Sequence, residues 1–585
     1  MRRSRQRPRL RLGQPSSDGP DPRGRTDVIL RIDPTSGLST TTDGPLGVRL
    51  LLAETHPKVS AYRPDQPIVF GVGHRALAMT RFALTAKSTQ SGGIAESRVE
   101  GPFGPALGDT GFDGVVLTGR AARPCYVLIE NGQARLIDAS DLWRLDTAEV
   151  TDLLVARHGP ATHVAAIGPA GENLIRFASL VTDRGYPAAR MGAIFGAKRC
   201  KAVVVVNDET RPIIELDITA DYMSRVPGNP LTRGQLEPPG FGAWPAGDLE
   251  GYLGARNYTT AKAHLDAFTP EAFLGRMTQN SGACPGCPQD CMKSFNGSPL
   301  HQQAVAAFAA NLGIDDVQAV LELNASCLKW GVDPVSLAGV LAFRCELPGG
   351  PDFGDAQALV QLAGQVVWRT GEGAILADGV ARAARAYGRA TERFALHCKG
   401  IEMPVFDPRG NQGLALAFAV NPLGPRYDAV EHDIDFDPER GNELFIANAP
   451  ECPPEGLPME SLSEKKVKLV ADLMELWSGY DALGVCLFAA PPTRNLSEAS
   501  AAELVSAVTG RNVTPAGIRA AGRQRLSLMR RYNRREGLTS MDDTLPDRFF
   551  TLPVDSGRLK GAVLDRRVFA AAVKRLRELL GWPPD

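Results

Sequence analysis

The stretch SGACPGCPQDCMKSF, residues 281–295, brings Cys284, Cys287 and Cys291 close together, whereas the other cysteines of the chain are scattered. Clustered thiols in a reducing compartment usually bind metal, as ligands of zinc or of an iron-sulfur cluster. Zinc ribbons pair two CxxC motifs, and this chain contains a single one. An iron-sulfur cubane often takes three ligands from one compact loop and a fourth from a distant residue. The spacing therefore favours an iron-sulfur cluster over zinc and over three unrelated core cysteines.

Composition limits the classes of function that the chain can have. It has 585 residues, 43% of them hydrophobic and 22% charged, which is typical of a globular protein of about three domains. The formal net charge is −1, so no global field attracts the protein to nucleic acid or to anionic lipid. We therefore expect a small-molecule substrate or a protein partner, and neither a nucleic-acid nor a membrane partner.

The N-terminal segment differs in amino-acid composition from the rest of the chain. Residues 1–26 are basic and rich in Pro, Ser and Gly, a composition that buries too little apolar surface to offset chain entropy, so they predict a disordered tail. Farther along, no uninterrupted apolar stretch reaches the ~20 residues that a bilayer-spanning helix needs. The sequence predicts a cytoplasmic protein whose thiols stay reduced.

Hydrophobic patterning divides the remaining chain into three parts. Residues 27–210 hold short β-branched runs such as DVILRID, RFALTAKS, FDGVVLTG, PCYVLIENGQARLID and KAVVVVND, which predict a β-rich domain with a hairpin turn at Asn131 and few helices, DTAEVTDLLVARHG among them. Residues 211–410 and 411–585 hold Ala- and Leu-rich segments with helical spacing, which predict two mostly α-helical domains.

One distant cysteine stands in an unusual setting. Cys486 ends the segment DALGVC, in which Gly484 precedes the thiol by two residues and Asp481 by five. This turn can present a thiol and a carboxylate to one ligand. Together, CPGCPQDC and DALGVC resemble the tungsten-containing aldehyde:ferredoxin oxidoreductase family, whose members bind a [4Fe-4S] cluster through CxxCxxxC and a distant cysteine in a DxxGLC segment. The resemblance implies that Cys284, Cys287, Cys291 and Cys486 are the cluster ligands.

Longer blocks carry the same resemblance along most of the chain. Residues 86–121 look like the family's N-terminal signature, residues 165–185 like its second block, residues 399–425 like the stretch before its active site, and residues 530–550 like its C-terminal signature. The fold implied is α+β, with a β-rich N-terminal pterin-binding domain, two mostly α-helical domains and the cofactor at the domain interface. The cofactors implied are the cluster, a bis-pyranopterin (molybdopterin) tungsten or molybdenum centre, and Mg²⁺ that bridges the pterin phosphates.

The resemblance also implies which residues bind the pterin cofactor. Arg81 matches the family arginine that lies between pterin and cluster, and Asp333 and Asp481 match paired acids that bind the pterins. Glycine-rich turns supply backbone N–H groups for phosphate, and arginines supply charge. The full set of cofactor-binding residues implied is Arg81, Arg98, Gly101, Arg190, Met191, Gly192, Ala193, Asp333, Asp481 and Val485.

Several positions depart from the family pattern. Gln303 stands where aldehyde-oxidising members have a glutamate, and Tyr427 stands where they have a histidine, so the base expected there is missing. Arg98 replaces an asparagine whose backbone helps to hold the magnesium. Replacements for the catalytic pair are available in PRYDAVEHDID, residues 425–435, where His432 can act near neutral pH and Tyr427 can donate to a carbonyl. The candidate catalytic residues are His432, Tyr427, Gln303 and Glu431.

The parent reaction implied by the family oxidises an aldehyde to a carboxylic acid and passes electrons through the cluster to ferredoxin or a ferredoxin-like partner subunit. Two alternatives stay open. The altered pocket can serve another two-electron reaction, such as reduction of a carboxylate or an aromatic acid, or the chain can be a non-catalytic iron-sulfur electron-transfer subunit. The sequence leaves substrate, metal and oligomeric state open, a homo-oligomer among the options.

Overall fold

The computed structural model describes residues 27–207, 211–240, 252–263, 265–279 and 284–583. The predicted disordered tail, residues 1–26, lies outside the described residues, and so do residues 281–283 at the start of the cysteine-rich stretch. Cys284, Cys287, Cys291 and Cys486 are all described.

The first part of the chain forms two six-stranded mixed sheets. The strands of the first sheet are β1 (Val28–Asp33), β2 (Leu38–Asp43), β3 (Ile68–Gly71), β4 (Phe82–Lys87), β5 (Ile94–Val99) and β6 (Gly114–Leu117). They lie in the order β2-β1-β6-β3-β4-β5, in which β1 and β6 are parallel and the other neighbours antiparallel. The β4–β5 hairpin contains Glu96 and Arg98, and Arg81 directly precedes it. All three side chains line the candidate site.

The second sheet is built from strands that follow in sequence. These are β7 (Cys125–Glu130), β8 (Gln133–Asp138), β9 (Thr162–Ile167), β10 (Leu180–Thr182), β11 (Tyr186–Ala188) and β12 (Cys200–Val206), in the order β11-β10-β9-β12-β7-β8. The turn between β7 and β8 holds Asn131 and Gly132 at φ +50° and +71°, the left-handed pair that a tight hairpin needs. The predicted hairpin at Asn131 is thereby confirmed.

Helices pack between the two sheets and on the outer face of each. Those of this part are α1 (Gly47–Glu54), α2 (Phe103–Asp109), α3 (Thr147–His158), α4 (Pro169–Glu172) and α5 (Gly192–Lys198). One apolar core joins Phe70 of the first sheet, Val205 of the second and Phe103 and Phe195 of α2 and α5. The predicted helix α3 begins with a capping box, since Asp146 accepts from the N–H of Glu149 while the Glu149 side chain accepts from the N–H of Asp146.

The described residues after position 210 are mostly helical and include five short strands. The strands are β13 (Met277–Gln279), β14 (Ser294–Phe295), β15 (Ser298–Pro299), β16 (His397–Cys398) and β17 (Ile401–Glu402). The helices are α6 (Asp217–Ser224), α7 (Pro230–Leu236), α8 (Pro270–Leu274), α9 (Gln302–Val305), α10 (Val317–Trp330), α11 (Pro334–Cys345), α12 (Ala356–Trp368), α13 (Gly373–Leu376), α14 (Val380–Tyr387), α15 (Gln412–Val420), α16 (Glu443–Asn448), α17 (Glu464–Leu483), α18 (Glu498–Thr509), α19 (Pro515–Glu536), α20 (Arg548–Thr551) and α21 (Arg566–Leu579).

Close packing of two long helices positions the DALGVC segment. At the crossing of α17 and α19, a Cβ on Gly522 would lie 1.8 Å from the Glu475 carbonyl oxygen, so only glycine permits this approach. Helix α17 ends at Gly484, whose φ of +79° gives a left-handed C-cap. The chain then turns so that the Cys486 N–H donates to the Ala78 carbonyl at 2.7 Å, beside Arg81 in sequence.

The predicted α+β fold class is confirmed, with mixed sheets in the N-terminal region followed by a mostly helical region. The predicted domain boundaries remain predictions. Within the described part of the chain, no helix combines the length and the apolar character that crossing a membrane requires.

Candidate active site

Two adjoining cavities lie where the N-terminal sheets meet the helices. The first, called here the large cavity, encloses about 1230 Å³ of empty space counted to its open mouth, and the second, the apolar pocket, encloses about 960 Å³. Arg81, Gln303, Tyr427 and Asp428 line both. These four side chains therefore form the wall through which a group bound in one cavity meets a molecule bound in the other.

The large cavity is lined by charged groups from both parts of the chain. Residues of the β4–β5 hairpin face residues of the helical part across it. The charged lining residues are Arg81, Glu96, Arg98, Glu100, Arg190, Asp333, Glu402, Arg426 and Asp428. Such alternating charge can bind a ligand that carries both anionic groups and hydrogen-bond donors.

A buried ion network joins this cavity to the helices behind it. Arg98 Nη2 lies 2.7 Å from Glu96 Oε1, and Arg525 also donates to Glu96. Burial alone would raise the pKa of Glu96, but the charges of Arg525 and Arg98 lower it to about 2. Asp481 lies 3.8 Å from Arg98 and 3.4 Å from Arg525, at ion-pair range.

Part of the network's hydrogen-bonding capacity is unused. Arg98 Nε, Arg525 Nε and Asp481 Oδ1 are buried with no hydrogen-bond partner among the described residues. Buried donors and acceptors are costly to leave unpaired, so most in native proteins have a partner. These orphaned atoms indicate a polar ligand at the boundary between the hairpin and helices α17 and α19.

Arg81 stands between the cavities and the DALGVC cysteine. Its Nε lies 2.9 Å from Glu100 Oε1. Burial opposes its charge, yet the negative charge of Glu100 raises the pKa of Arg81 above its usual value. Arg81 lines both cavities, and the position between pterin and cluster that the resemblance implies for it stays a prediction.

The four predicted cluster cysteines form one partly buried group. Burial raises the pKa of the Cys284, Cys287 and Cys486 thiols to about 11, and the pKa of Cys291 is raised by burial and by the charges of the other three. Cys291 and Cys486 pack together against Met292 and Phe488. The thiols are thus close enough to act on one another electrostatically.

Among the described residues, no group of three or more His, Cys, Asp and Glu side chains is arranged to hold a single metal ion. One of the four thiols accepts a backbone hydrogen bond. The Gly101 N–H donates to Cys284 Sγ at 3.2 Å, the kind of backbone contact that tunes cluster potentials.

The apolar pocket has a hydrophobic wall with a few buried polar groups. Its hydrophobic lining residues are Leu231, Tyr252, Leu253, Val305, Phe406, Ile434, Trp477, Leu487 and Phe488. Its polar groups include all the candidate catalytic residues, namely Gln303, Tyr427, Glu431 and His432. A concave, mainly apolar site with a few convergent polar groups is the usual form of a small-molecule pocket.

Tyr427 is held as a hydrogen-bond donor to this pocket. His301 Nδ1 accepts from the Gln303 N–H at 3.1 Å, so the ring hydrogen is on Nε2, which lies 2.9 Å from the Tyr427 hydroxyl. Burial lowers the pKa of His301 to about 4, which keeps the ring neutral at pH 7. Since the Tyr427 oxygen accepts from His301, its own hydrogen is left for a ligand.

His432 has both ring nitrogens engaged. Nε2 lies 2.8 Å from the Tyr427 carbonyl oxygen, which only accepts, so Nε2 carries the hydrogen and Nδ1 accepts from the Tyr252 hydroxyl. Burial lowers the pKa of His432, which favours the neutral ring. This geometry favours a role in positioning Tyr427 over the direct proton transfer that the sequence suggests for His432.

Gln303 and Glu431 differ in how far their polar atoms are paired. Both amide atoms of Gln303 are buried with no hydrogen-bond partner among the described residues, although the side chain lines both cavities. Helix α9 passes directly into a π-helical turn at Ala306–Asn311, a distortion that often marks functional sites. Glu431 accepts from the Thr493 hydroxyl and from Arg494.

The other predicted cofactor residues differ in their position relative to the large cavity. Arg190 lines it, and Met191, Gly192 and Ala193 follow as buried residues at the start of α5. Asp333 lines it too, and its Oδ2 caps α11 by accepting from the Ser336 N–H at 3.1 Å. Val485 is buried, and its N–H donates to the Tyr480 carbonyl.

Among the polar residues of the apolar pocket that sequence reasoning missed are Tyr252, Asp435 and Arg494. Tyr252 precedes its partner His432 by 180 residues, and no motif marks it. Asp435 ends the polar run that includes Glu431 and His432, so the sequence indicates it only through its proximity to these predicted residues. Arg494 follows two prolines and reads as an ordinary loop residue.

Comparison with known proteins extends over nearly the whole chain. The family model "Aldehyde ferredoxin oxidoreductase, N-terminal domain" matches residues 41–207, and the model "Aldehyde ferredoxin oxidoreductase, domains 2 & 3" matches residues 217–585. The tungsten-containing aldehyde ferredoxin oxidoreductase of Thermococcus kodakarensis is 28% identical over 581 residues, covering 92% of this chain and 91% of that protein.

Two further matches have the names of other redox proteins. The aliphatic sulfonate oxidoreductase, WOR-like subunit, of Pyrococcus furiosus is 24% identical over 86% of this chain and 82% of that protein. The active-site complex BamBC of benzoyl coenzyme A reductase, in complex with 1,5-dienoyl-CoA, matches with a TM-score of 0.80 at 20% identity, over 95% of this chain and 94% of that chain. At that identity the likeness shows a shared fold.

Proposed function

The chain belongs to the aldehyde ferredoxin oxidoreductase family, and on that premise we propose that it is a tungsten or molybdenum bis-pterin enzyme with one [4Fe-4S] cluster. Its proposed reaction oxidises an aldehyde to a carboxylic acid. Electrons leave through the cluster to ferredoxin or to a ferredoxin-like partner subunit.

The residues present fit these groups. The large cavity is lined by charged groups from both parts of the chain, Arg190 and Arg426 among them, and such a lining suits a cofactor that carries anionic groups and hydrogen-bond donors. The orphaned atoms of Arg98, Arg525 and Asp481 supply unpaired donors and an acceptor at the edge of this cavity. Arginines suit pterin phosphates, and carboxylates suit pterin amino groups. Asp333 and Asp481 are the proposed partners of the amino groups, with Mg²⁺ between the phosphates as a further expected component.

The four cysteines fit the cluster for a separate reason. They are the partly buried thiols at the meeting point of the CPGCPQDC loop, the DALGVC turn and Arg81. When bound, the pterin-ligated metal supplies two-electron exchange and the cluster supplies one-electron transfer. The protein's own tasks are to bind, to orient and to exclude water.

The single observation that carries the proposed reaction is the Tyr427 hydroxyl in the wall shared by the two cavities. Because His301 donates to the Tyr427 oxygen, the hydroxyl hydrogen can bind a substrate carbonyl oxygen. A fixed donor that stabilises charge on that oxygen lowers the barrier for addition of water to the carbonyl carbon. The orphaned Gln303 amide can bind the same oxygen or the attacking water.

The aromatic and aliphatic wall of the apolar pocket then holds the rest of the substrate. Tyr252, Phe406 and Phe488 surround the space with rings, which favours an aryl or branched alkyl substituent over a charged one. Burial of that substituent also removes water from around the carbonyl, which strengthens each hydrogen bond to it.

A second candidate reaction is reduction of a carboxylate or of an activated aromatic acid. Gln303 has no titratable proton where aldehyde-oxidising members have a glutamate, so the oxidative base is missing from that position. The sulfonate and benzoyl coenzyme A enzymes among the relatives are also not aldehyde oxidases by name.

The two reactions are distinguished by which substrate exchanges electrons with the protein. We expect an aryl aldehyde, added to oxidised protein without oxygen, to reduce a viologen dye and to change the metal's electron paramagnetic resonance signal. The matching acid should leave both unchanged. If the acid, added to dithionite-reduced protein, changes the signal and the aldehyde does not, the reductive reaction replaces the proposed one. If neither compound changes anything, the chain is not an enzyme of this type.

A further inference from the structure

A second polar cluster lies in the apolar pocket, apart from Tyr427. Glu431 and Asp435 both line the pocket, four residues apart in the chain, and their carboxyl groups are close enough for the charge of Glu431 to raise the pKa of Asp435. Glu431 also accepts from the Thr493 hydroxyl and from Arg494. The short turn Asp433–Phe436 and the loop after α17 bring these groups together.

The charged groups around Glu431 and Asp435 provide one cation for two carboxyl groups. Arg494 is the cation next to them, while Asp433 on the same turn is paired with Lys466 of α17. His432 and Tyr252, the other titratable neighbours, are neutral at pH 7, since burial lowers the pKa of the ring and raises that of the phenol. Two carboxyl groups in contact with one cation resist full ionisation.

The direction of the pKa shift of Asp435 agrees with the presence of one cation beside two carboxyl groups. Burial first, and then the negative charge of Glu431, raise the pKa of Asp435 well above its ordinary value, while Arg494 opposes the shift. Coupled carboxyl pairs of this kind lose their protons in two steps that belong to the pair.

An independent feature shows that the pair faces a ligand. Arg494 Nε and both amide atoms of Gln303 are buried with no hydrogen-bond partner among the described residues, and both side chains line the same pocket. Arg494 is 8% exposed and Gln303 is 5% exposed, so bulk water does not satisfy them. A bound molecule with an oxygen acceptor would satisfy Arg494 Nε and Gln303 Nε2, and a bound water or hydroxyl group would donate to Gln303 Oε1.

We propose that Glu431 and Asp435 share one proton and act as the pocket's proton acceptor and donor, the catalytic role that Gln303 cannot fill. The proposal rests on the proposed function for its substrate, an aldehyde or the matching carboxylic acid. It adds Asp435 as a catalytic residue and pairs it with Glu431.

In the oxidative direction, a C–O bond forms between a water oxygen and the carbonyl carbon while a water O–H bond breaks, and that proton passes to the carboxylate of the pair. The aldehyde C–H bond then breaks, its two electrons leave to the redox cofactor of the proposed function, and its hydrogen leaves as a second proton. The sum is RCHO + H₂O → RCOOH + 2H⁺ + 2e⁻. Reduction reverses each step, with the pair as proton donor.

The first test needs no cofactor. Because the pKa of Asp435 is raised by folding, the folded protein holds a proton that the unfolded chain has lost over the pH range between the ordinary and raised values. The free energy of unfolding of the wild-type protein should therefore decrease as pH rises through that range. In Asp435→Asn the contribution of Asp435 to this decrease should be absent. Thermal unfolding at several pH values measures both slopes. Equal slopes would overturn proton sharing.

Infrared spectroscopy gives a direct readout of the shared proton. We expect the wild-type protein at pH 7 to show a protonated carboxyl band that shifts in D₂O and that is lost in Asp435→Asn. Glu431→Gln disrupts the same pair by changing its other carboxyl group, so this variant tests the proposal if Asp435→Asn does not fold. Persistence of the band in a folded variant would overturn the pairing.

The catalytic part is tested by pH profiles of the active enzyme. Loss of a general acid–base group costs about 10²–10⁴-fold in rate, so we expect a fall of that size in Asp435→Asn, with the acid limb of the oxidation profile shifted. Asp433→Asn is the matched control, because Asp433 lies on the same turn but pairs with Lys466 and binds the Gly413 N–H. It should lose stability and keep the wild-type profile.

These readouts separate the proposal from the proposed function. If the shared proton is found in a protein that turns over neither aldehyde nor acid, the carboxyl pair stands and the proposed function is wrong. An unchanged pH profile in Asp435→Asn, in an enzyme that oxidises aldehydes, would overturn the pair alone and assign it a structural role.

Discussion

The Cys486→Ala variant is expected to lose nearly all of the about four irons per chain that a [4Fe-4S] cluster contributes, together with its visible absorbance. Cys486 lies next to Cys291 against Met292 and Phe488, although the two are far apart in sequence. Its N–H is held by the Ala78 carbonyl at 2.7 Å, so the turn itself should survive loss of the thiol. Iron and acid-labile sulfide, measured on protein purified without oxygen, give the result.

The matched control is Cys345→Ala. Cys345 is a half-buried cysteine at the end of α11, outside the group formed by Cys284, Cys287, Cys291 and Cys486. This variant should keep the wild-type iron content. Full iron in Cys486→Ala would show that the DALGVC cysteine is not a ligand, and equal loss in both variants would point to general instability of the protein.

Tyr427→Phe is expected to lower kcat by about 10²–10³-fold, the usual cost of removing one fixed donor to a developing oxyanion. KM should change little, because the ring remains and the apolar pocket still binds the substrate. The loss should be the same at every pH, since burial and the charge of Asp428 raise the pKa of Tyr427 well above 10 and keep the phenol protonated. Steady-state kinetics with an aryl aldehyde measure these effects.

Tyr258→Phe provides the control for removal of a buried phenol. Tyr258 itself lines neither cavity, and its hydroxyl donates to the Pro404 carbonyl, so this change should reduce stability without a comparable loss of kcat. His301→Ala should lie between the two variants, because Tyr427 keeps its hydroxyl and loses the neighbour that orients it. Wild-type kcat in Tyr427→Phe would remove the observation on which the proposed reaction rests.

Features of the fold that depend on neighbours in sequence could be predicted from the chain alone. The Asn131-Gly132 turn needs two left-handed residues in a row, and the start of α3 needs Asp146 and Glu149 three apart. The turn after α17 needs a glycine with positive φ at Gly484. Each signal lies within a few residues, so a single sequence displays it.

The pocket's hydrogen-bond networks could not be predicted in the same way. The contacts of Tyr252 with His432 and of His301 with Tyr427 join residues that are 180 and 126 positions apart. Which nitrogen of each ring carries hydrogen depends on those contacts, and with it whether the ring can transfer a proton. The sequence therefore indicated a segment, residues 425–435, that contributes to the lining of the apolar pocket, but not the contacts within it, and the catalytic roles stay predictions.

The site residues implied by resemblance differ in how the structure places them. Arg81, Arg98, Arg190 and Asp333 line the large cavity. Asp481 lies behind it, at ion-pair range of Arg98. Backbone contacts of the residues at the start of α5 with a cofactor remain predictions, because they depend on the cofactor's own shape.

Metal analysis of wild-type protein purified without oxygen, with iron and pterin quantified on the same sample, tests the central claim most directly. We predict about one tungsten or molybdenum and about four irons per chain, with pterin in proportion to the tungsten or molybdenum. Iron without tungsten, molybdenum or pterin would contradict the proposed enzyme and leave an iron-sulfur electron-transfer subunit on the same fold.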